Sequence, residues 1–261
     1  MQSIYIVRHG DRWDYSHPGW REDATRVGDP PLSSLGHRQA REVGAFLDAL
    51  LASDGIVADR IELLSSPFLR TVQTSNDILS EFRKTPGDVA ETVAIKPEYS
   101  VFEIDGHDGK AHACLPSLEE RKCYFPRLDE GHASLFVPAV PENNRGQFFA
   151  RCERVAAGIN ARYPHIANSA IIIVTHAACC VSLAAALSKK TLADMNPAPP
   201  CGIYRLTRTK DCDEWKIDSH AKKDGFNGRL VISDMGTNTV PWNHFGDKND
   251  GTMGYTGPPR E

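Results

Sequence analysis

The sequence lacks a long hydrophobic run. None of its apolar stretches approaches the roughly 20 residues that a membrane-spanning helix needs. Residues 1–3 lead directly into the apolar residues 4–7, without the basic segment and apolar core of a signal peptide. We therefore expect neither a membrane partner nor secretion. This favours a cytoplasmic protein, with the nucleus as the alternative location.

Closely spaced cysteine pairs and an excess of positive charge are also missing. The seven cysteines are scattered, and Cys179 and Cys180 alone are adjacent. Zinc sites need paired close spacings, and reduced thiols are typical of the cytosol. We therefore predict no bound metal and no cofactor. The formal net charge is -4, which makes nucleic acid an unlikely main partner but permits a local cationic pocket.

What the sequence does contain is an alternation of short apolar runs with amphipathic segments. The runs at residues 4–7, 61–65 and 170–175 are typical of buried strands, and residues 202–207 and 215–218 are predicted as later strands. Helices are predicted after a capping serine at 33 or 34, after Pro67, and over residues 148–163. This order predicts an α/β fold with a mostly parallel sheet flanked by helices on both faces.

Two regions depart from this alternation. Residues 100–144 are interrupted by glycines and prolines, and we interpret them as an insertion over the C-terminal ends of the strands. Residues 236–261 are rich in Gly, Asn, Asp and Pro and form a predicted C-terminal tail. The predicted domain therefore covers residues 1–235.

The polar residues that follow the predicted strands are the candidates for chemistry. Ligands of such sheets bind outside the carboxyl ends of the strands. The first strand ends in Arg8-His9-Gly10. An imidazole can attack phosphorus, the planar fork of an arginine pairs two phosphate oxygens, and a glycine lets the backbone come close. A single histidine after a strand is nevertheless more often structural than nucleophilic.

Other strand ends add matching residues. Arg70 falls in the first turn of the helix after the second strand, where the helix N-terminus favours anions. His176 ends the most apolar strand, and Arg12 lies four residues after Arg8. Separately, these residues could be solvated arginines and a core histidine. Together they indicate a phosphate site.

The stretches that carry these residues resemble the histidine phosphatase superfamily, also described as phosphoglycerate mutase-like. They occur in the family's order, as IYIVRHG at 4–10, PLSSLGHRQA at 31–40, SSPFLRTVQT at 65–74 and IIVTH at 172–176. The resemblance implies that His9 is the phosphorylated nucleophile. It also implies that Arg8, Arg70 and His176 complete a phosphate pocket, with His176 in the catalytic set, and Arg12 is a further phosphate-binding candidate.

The family's general acid usually lies in an apolar-Glu pattern after a mid-chain strand. Val101-Phe102-Glu103 matches this pattern, so the resemblance implies that Glu103 is the proton donor. Burial beside an aromatic ring would favour the neutral carboxyl that this role needs. Asp105 and Asp11 are the rival candidates.

Within the superfamily, the chain is similar to the phosphatase domain of the TULA/Sts proteins (suppressors of T-cell receptor signalling) and to relatives associated with transcription factor IIIC. The similarity rests on the continuation Arg8-His9-Gly10-Asp11-Arg12, on a long insertion at residues 115–141 and on domain size. The resemblance does not identify a substrate.

These observations predict a metal-independent phosphatase that acts on a phosphorylated small molecule or a phosphoprotein. A non-catalytic phosphate-binding or assembly module is the alternative from another class. A mutase is disfavoured because Trp13-Asp14-Tyr15-Ser16 stands where mutases carry an Asn. Four aromatic residues could line a cleft for an aryl phosphate or could pack the insertion onto the domain, namely Trp13, Trp20, Tyr124 and Phe125.

Overall fold

The computed structural model of the protein describes residues 1–17, 19–82, 92–104, 115–139, 142, 144–218 and 228–236. These residues form a sheet of six strands in the order β3-β2-β4-β1-β5-β6. The strands are β1 (Gln2–Arg8), β2 (Ile61–Ser65), β3 (Ile95–Pro97), β4 (Ser169–Thr175), β5 (Ile203–Thr209) and β6 (Cys212–Ile217).

The first four strands run parallel, and the last two form an antiparallel edge. β4 lies between β1 and β2 and pairs in parallel with both. β2 pairs in parallel with β3, whereas β5 is antiparallel to β1 and to β6. The mostly parallel sheet is therefore confirmed. The C-terminal strands begin and end within a few residues of their predicted bounds.

Helices cover both faces, as predicted. They are α1 (Trp13–Ser16), α2 (Trp20–Asp23), α3 (Ser34–Ser53), α4 (Leu69–Ser80), α5 (Leu118–Lys122), α6 (Arg145–Arg162) and α7 (Ala177–Ser188). Short 3-10 turns span Ala58–Arg60, Tyr99–Val101 and Leu192–Asp194. Ser33 caps α3, since its side chain accepts from the Gly36 amide at 3.1 Å. α4 begins two residues after Pro67, because Phe68 is its extended N-cap.

Alternate residues of each central strand point to opposite cores. Ile4 and Ile6 of β1 pack with α6 and α7, while Tyr5 and Val7 pack with α3 and α4. All four side chains are fully buried. The strands between these two cores must therefore be apolar on both sides, which explains their unbroken hydrophobic runs. Among the described residues, no helix has the length and apolarity to cross a membrane.

The described part of the insertion contacts the domain at two places, the loop after β2 and strand β3. Arg121 of α5 bonds to Asp29 at 2.5 Å and to the Pro67 carbonyl at 3.4 Å, beside the loop that follows β2. Residues 127–129 then run along β3, where Ile95 donates to the carbonyl of Arg127 at 2.8 Å. Segments 105–114 and 237–261 lie outside the described residues, so the tail stays a prediction.

Helices α3 and α4 approach each other closely at Gly44. A Cβ there would lie 2.6 Å from the carbonyl oxygen of Ile78, a backbone atom that cannot turn away. At Gly158, in the C-terminal half of α6, the atoms nearest to a Cβ would be those of the Leu135 side chain, at 3.2 Å. We expect Gly44→Ala to unfold at lower denaturant than Gly158→Ala, with a difference of about 1–3 kcal/mol from overpacking.

The comparison between these two variants cancels the gain in helix propensity, because both replace an interior helical glycine. Urea unfolding followed by circular dichroism gives the two free energies. Equal stabilities would contradict the close approach of α3 to α4.

Candidate active site

Parallel strands bring the chemically active residues to one edge of the sheet. Arg8 at the end of β1 lies opposite Thr175 at the end of β4. The amides of His9 and Ser66, the residues after β1 and β2, donate to carbonyls of β4 at 2.9 Å each. Because His176 directly follows β4, it lies at the same edge. The predicted convergence of these three strand ends is what the structure shows.

His9 is a buried imidazole whose tautomer is set by the backbone. It is 2% exposed, and its Nδ1 lies 2.7 Å from the carbonyl oxygen of Gly10. Because a carbonyl can only accept, Nδ1 carries the proton and the lone pair is on Nε2. Burial, followed by the charges of Arg70 and Arg8, lowers the pKa of His9 well below its ordinary value. At neutral pH the ring is therefore uncharged, with a free lone pair on Nε2, as a nucleophile requires.

The loop that carries His9 has no room for a side chain at Gly10. A Cβ on Gly10 would lie 2.6 Å from the carbonyl oxygen of Gly36, in the first turn of α3. One on Gly36 would lie 2.2 Å from the carbonyl oxygen of Asp11. The Gly10 amide also donates to Thr74 of α4 at 3.2 Å. Helices α3 and α4 thus hold the backbone that directly follows His9.

Arg70 places a buried positive charge at this edge. It is 2% exposed, its guanidinium lies over the Phe68 ring at 4.5 Å, and its Nη2 donates to His176 Nδ1 at 3.2 Å. Burial, and then the charge of Arg12, lower the pKa of Arg70 to about 10, which leaves it charged at neutral pH. Within the described residues, its Nε and Nη1 have no hydrogen-bond acceptor.

Arg8 has a similar unused donor. Its Nη1 donates to the carbonyl of Ala198 at 2.8 Å, while its buried Nε finds no acceptor in the part of the chain that the structure describes. Buried donors without partners are rare and cost about 1–3 kcal/mol each. Arg8 and Arg70 therefore present donors that a bound oxyanion would satisfy.

His176 is fully buried between Arg70 and Ser66. Since Arg70 donates to Nδ1, the neutral ring carries its proton on Nε2 and donates to Ser66 Oγ at 2.8 Å. A serine hydroxyl can also donate, so the opposite tautomer is compatible with the same contact. In that tautomer Nδ1 would donate to a phosphate oxygen once Arg70 turned towards the phosphate. The His9 and His176 rings lie 5.3 Å apart.

Glu103 follows the 3-10 turn Tyr99–Val101 and reaches the same site. Its Oε2 lies 3.6 Å from His176 Nδ1, and its Oε1 accepts from the Ile104 amide at 3.0 Å. The side chain is 17% exposed. Burial raises the pKa of the Glu103 carboxyl above its ordinary value, and the charge of Arg70 opposes this only in part. A carboxyl group that keeps its proton is suited to general-acid catalysis.

The rival acids are placed differently. Asp11 accepts from the Ser33 hydroxyl at 2.6 Å, at the N-terminus of α3, so its carboxylate serves the loop that holds His9. Asp105 lies outside the described residues. The geometry therefore favours Glu103, the acidic residue whose carboxyl oxygen lies beside the His176 ring.

Arg12 is near the site but is already engaged by protein groups. Its Nε and Nη2 donate to the carboxylate of Asp14 at 2.9 and 2.7 Å, and its Nη1 donates to the Tyr15 hydroxyl at 3.2 Å. Its side chain is 22% exposed. Arg12 can therefore contribute positive charge without rearrangement, whereas a direct bond to phosphate would require Asp14 to release it.

Ser66 is a site residue that the sequence-based list of candidates omitted. The signal was its position directly after β2, the same signal that selected His9 and His176. Thr74 was also omitted, and its contact with Gly10 could not be inferred because it depends on the packing of α4 against the β1 loop. The residues that hold the Glu103 loop were missed for the same reason.

Three of the four aromatic residues named above meet in one cleft. Trp20, Tyr124 and Phe125 line a cavity of about 590 Å³ between α2, α5 and the start of α4, where Leu69 also lines it. Trp13 instead stacks on His17, with ring centroids 3.5 Å apart. The described residues contain no group of three or more His, Cys, Asp or Glu side chains that could hold a metal ion.

Comparison with known proteins agrees with this fold. Residues 4–221 match the profile of the histidine phosphatase superfamily (branch 1), and the chain therefore belongs to that superfamily. No curated protein sequence matches the chain.

Solved phosphatases share the fold at low sequence identity. The chain is similar to the ecdysone phosphate phosphatase of Bombix mori solved with tungstate, at 20% identity and a TM-score of 0.63, covering 88% of this chain and 98% of that one. It is also similar to a mycobacterial glucosyl-3-phosphoglycerate phosphatase solved with VO3, at 18% identity and a TM-score of 0.51, covering 84% and 98%. A putative alpha-ribazole-5'-P phosphatase from Escherichia coli matches at 16% identity and a TM-score of 0.52, covering 89% and 100%.

The unused donors of Arg70 predict anion binding. We expect inorganic phosphate to raise the melting temperature of the wild type, since a ligand bound to the folded state stabilises it by mass action. Arg70→Gln should abolish most of this shift. Arg26→Gln is the matched control, because Arg26 is half-exposed and pairs with Glu120. A phosphate-dependent shift of equal size in all three proteins would contradict a role for Arg70 in the site.

Proposed function

We propose that this protein is a phosphomonoester hydrolase that acts through a phosphohistidine on His9, without a metal ion. The observation that carries the proposal is the neutral His9 ring, with its lone pair on Nε2, beside a buried Arg70 that has two unused donors. Membership of the histidine phosphatase superfamily supports it. The assigned roles of Arg8, Arg12, Arg70, Glu103 and His176 are part of the proposal.

In the first step, the lone pair on His9 Nε2 forms a bond to phosphorus while the ester P–O bond breaks. The leaving oxygen takes the proton of Glu103, so the alcohol departs neutral and Glu103 becomes a carboxylate. His9 is left as a phosphorylated ring that still donates from Nδ1 to Gly10. The contact with Gly10 stabilises the positive charge that the ring acquires.

In the second step, water attacks the phosphorus and the bond to His9 Nε2 breaks. The Glu103 carboxylate accepts the water proton, which restores the acid for the next cycle. Inorganic phosphate is the product, and His9 returns to its neutral state. Every proton is thus exchanged between Glu103 and the substrate or water.

Positive charge around the transferred group supplies the remaining catalysis. In phosphoryl transfer, negative charge is spread over the equatorial oxygens, so preorganised cations lower the barrier. Arg8 and Arg70 are already buried at the site before substrate binds. Arg12 adds charge from the rim, and His176 donates to one oxygen in its second tautomer.

The class of substrate is assigned from the similar solved proteins. The similar solved proteins are named for phosphorylated small molecules, namely ecdysone phosphate and glucosyl-3-phosphoglycerate. We assign a phosphorylated small molecule to this chain as its substrate. A phosphoprotein is the alternative. The closer resemblance to the TULA/Sts domain remains a prediction, since the solved proteins named above are other phosphatases.

The nucleophile is tested with His9→Ala. In the presence of EDTA we expect wild type to hydrolyse p-nitrophenyl phosphate, and we expect His9→Ala to show no turnover above background because no other side chain replaces Nε2. Intact-protein mass after rapid quenching should show one phosphoryl group on wild type alone. His37→Ala is the matched control, since His37 is a half-exposed partner of Asp77 on the surface of α3 and α4. Absence of wild-type turnover from about pH 4 to 8 would rule out the hydrolase and leave the non-catalytic module.

The proton donor is tested with two leaving groups. An alkyl phosphate such as β-glycerophosphate needs a proton on its leaving oxygen, whereas p-nitrophenolate leaves without one. We expect Glu103→Gln to lower kcat for the alkyl ester by about 10²–10⁴-fold and for the nitrophenyl ester far less. Asp11→Asn should show no such preference, and a selective loss there would make Asp11 the donor.

The pH profile gives an independent check of Glu103. Its raised pKa means that the acid is protonated at lower pH and is lost as pH rises through that value. Hydrolysis of the alkyl ester by wild type should therefore decline on the alkaline side, while the residual activity of Glu103→Gln should lack that decline. At the acid end activity persists far below the ordinary pKa of histidine, because the pKa of His9 is lowered.

A further inference from the structure

An arginine from another element holds the backbone that leads into Glu103. Nη1 of Arg151, on α6, donates to the carbonyl oxygens of Ser100 and Phe102 at 2.9 and 3.0 Å. Phe102 is the residue immediately before Glu103. The position of the Glu103 side chain is therefore tied through two hydrogen bonds to the middle of α6.

The carbonyl of Val101, between those of Ser100 and Phe102, is also held by a hydrogen bond. Val101 accepts from the Thr175 hydroxyl at 2.5 Å, at the end of β4. Three consecutive carbonyls are thus bonded to side chains from outside the loop. Glu98 begins the same loop and accepts from the Ser100 amide and hydroxyl at 3.1 and 2.7 Å. The loop is therefore restrained at its start by Glu98 and along its length by side chains of α6 and β4.

Arg151 itself has a single available orientation. Its Nε and Nη2 pair with both oxygens of Glu142 at 2.7 and 3.0 Å. The guanidinium lies against the rings of Phe102 and Phe148, at 4.5 and 4.8 Å. Arg151 is 6% exposed and Glu142 4% exposed. One planar group therefore bonds a carboxylate and two carbonyls at once.

A buried pair of this kind is poorly explained as a source of stability. Removing two charges from water costs about as much as their attraction returns, and a well-packed apolar pair is often as stable. What an apolar pair cannot do is fix two carbonyl oxygens, and a lysine cannot do so with the geometry of a guanidinium. The arrangement is thus better suited to fixing the position of the loop than to stabilising the fold.

We propose that Arg151 is a positioning residue that keeps the Glu103 carboxyl beside His176, within reach of the leaving oxygen. This inference rests on the proposed function, in which Glu103 is the proton donor. Arg151 touches neither substrate nor the reacting atoms, and it acts through the carbonyls of Ser100 and Phe102. Accurate placement of a catalytic group is what such contacts supply, since a displacement of about 1 Å can cost 10²-fold in rate.

The first test uses Arg151→Lys, which keeps the positive charge but removes the planar guanidinium that bonds the two carbonyls. We expect kcat for β-glycerophosphate to fall about 10–100-fold, with much less change for p-nitrophenyl phosphate and little change in KM for either ester. Arg208→Lys is the matched control: Arg208 is equally buried, bonds the Tyr163 carbonyl at 2.6 Å and lies over Trp215 at 4.4 Å. A loosened fold would affect both esters alike in either variant.

A double-mutant cycle then separates Arg151 from every other effect. In the Glu103→Gln background the proton donor is already gone, so Arg151→Lys should cause no further selective loss with the alkyl ester. Multiplicative losses in the double variant would overturn the proposal. If Arg151→Lys fails to fold, Glu142→Gln loosens the orientation of Arg151 with a smaller change, and the same selectivity is expected.

A crystal structure of Arg151→Lys supplies a readout that does not need activity. We expect Glu103 Oε2 to move away from its position 3.6 Å from His176 Nδ1. An unmoved Glu103 would overturn the inference whether or not the protein is a phosphatase. Conversely, a displaced Glu103 in a protein whose wild type hydrolyses no ester would refute the proposed function and leave the positioning role intact.

Discussion

The buried charge of Arg70 is the feature around which the rest of the site is organised. Its guanidinium contacts His176, lies over the ring of Phe68 and has two donors without acceptors among the described residues. A cation in that position cannot be neutralised by losing its proton at neutral pH, because its pKa stays near 10. After burial, it is the largest cause of the lowered pKa of both imidazoles, and it offers donors that a bound anion would satisfy.

The same burial shifts the pKa values of His9 and Glu103 in opposite directions. Desolvation disfavours the charged form of each group, so it lowers the pKa of His9 and raises that of Glu103. Positive charge from Arg70 reinforces the first shift and moderates the second. One environment thus favours the neutral imidazole of His9 and the protonated carboxyl of Glu103, without a separate device for either. This is the pattern expected of paired acid and base groups in active sites.

Holding these groups in place requires contacts from every surrounding element. Asp29 accepts from the Leu69 amide at 2.6 Å and pairs with Arg121, which fixes the start of α4 one residue before Arg70. The contact of Gly10 with Gly36 fixes the loop of His9. Arg151 and Thr175 fix the loop of Glu103. His9, Arg70 and Glu103 are therefore each held by a different part of the fold, and the insertion supports the start of α4 through Arg121.

The sequence by itself determined the strand-helix order, the parallel core and the residues at the strand ends. Apolar runs and their polar ends are local signals, and parallel strands must bring His9, Arg70 and His176 to a common edge. Only the tertiary structure decided which atoms meet: the tautomer of His9, the engagement of Arg12 by Asp14, and the position of Glu103 beside His176. Those outcomes depend on contacts between residues far apart in the chain, such as Arg151 with Ser100, which no local pattern encodes.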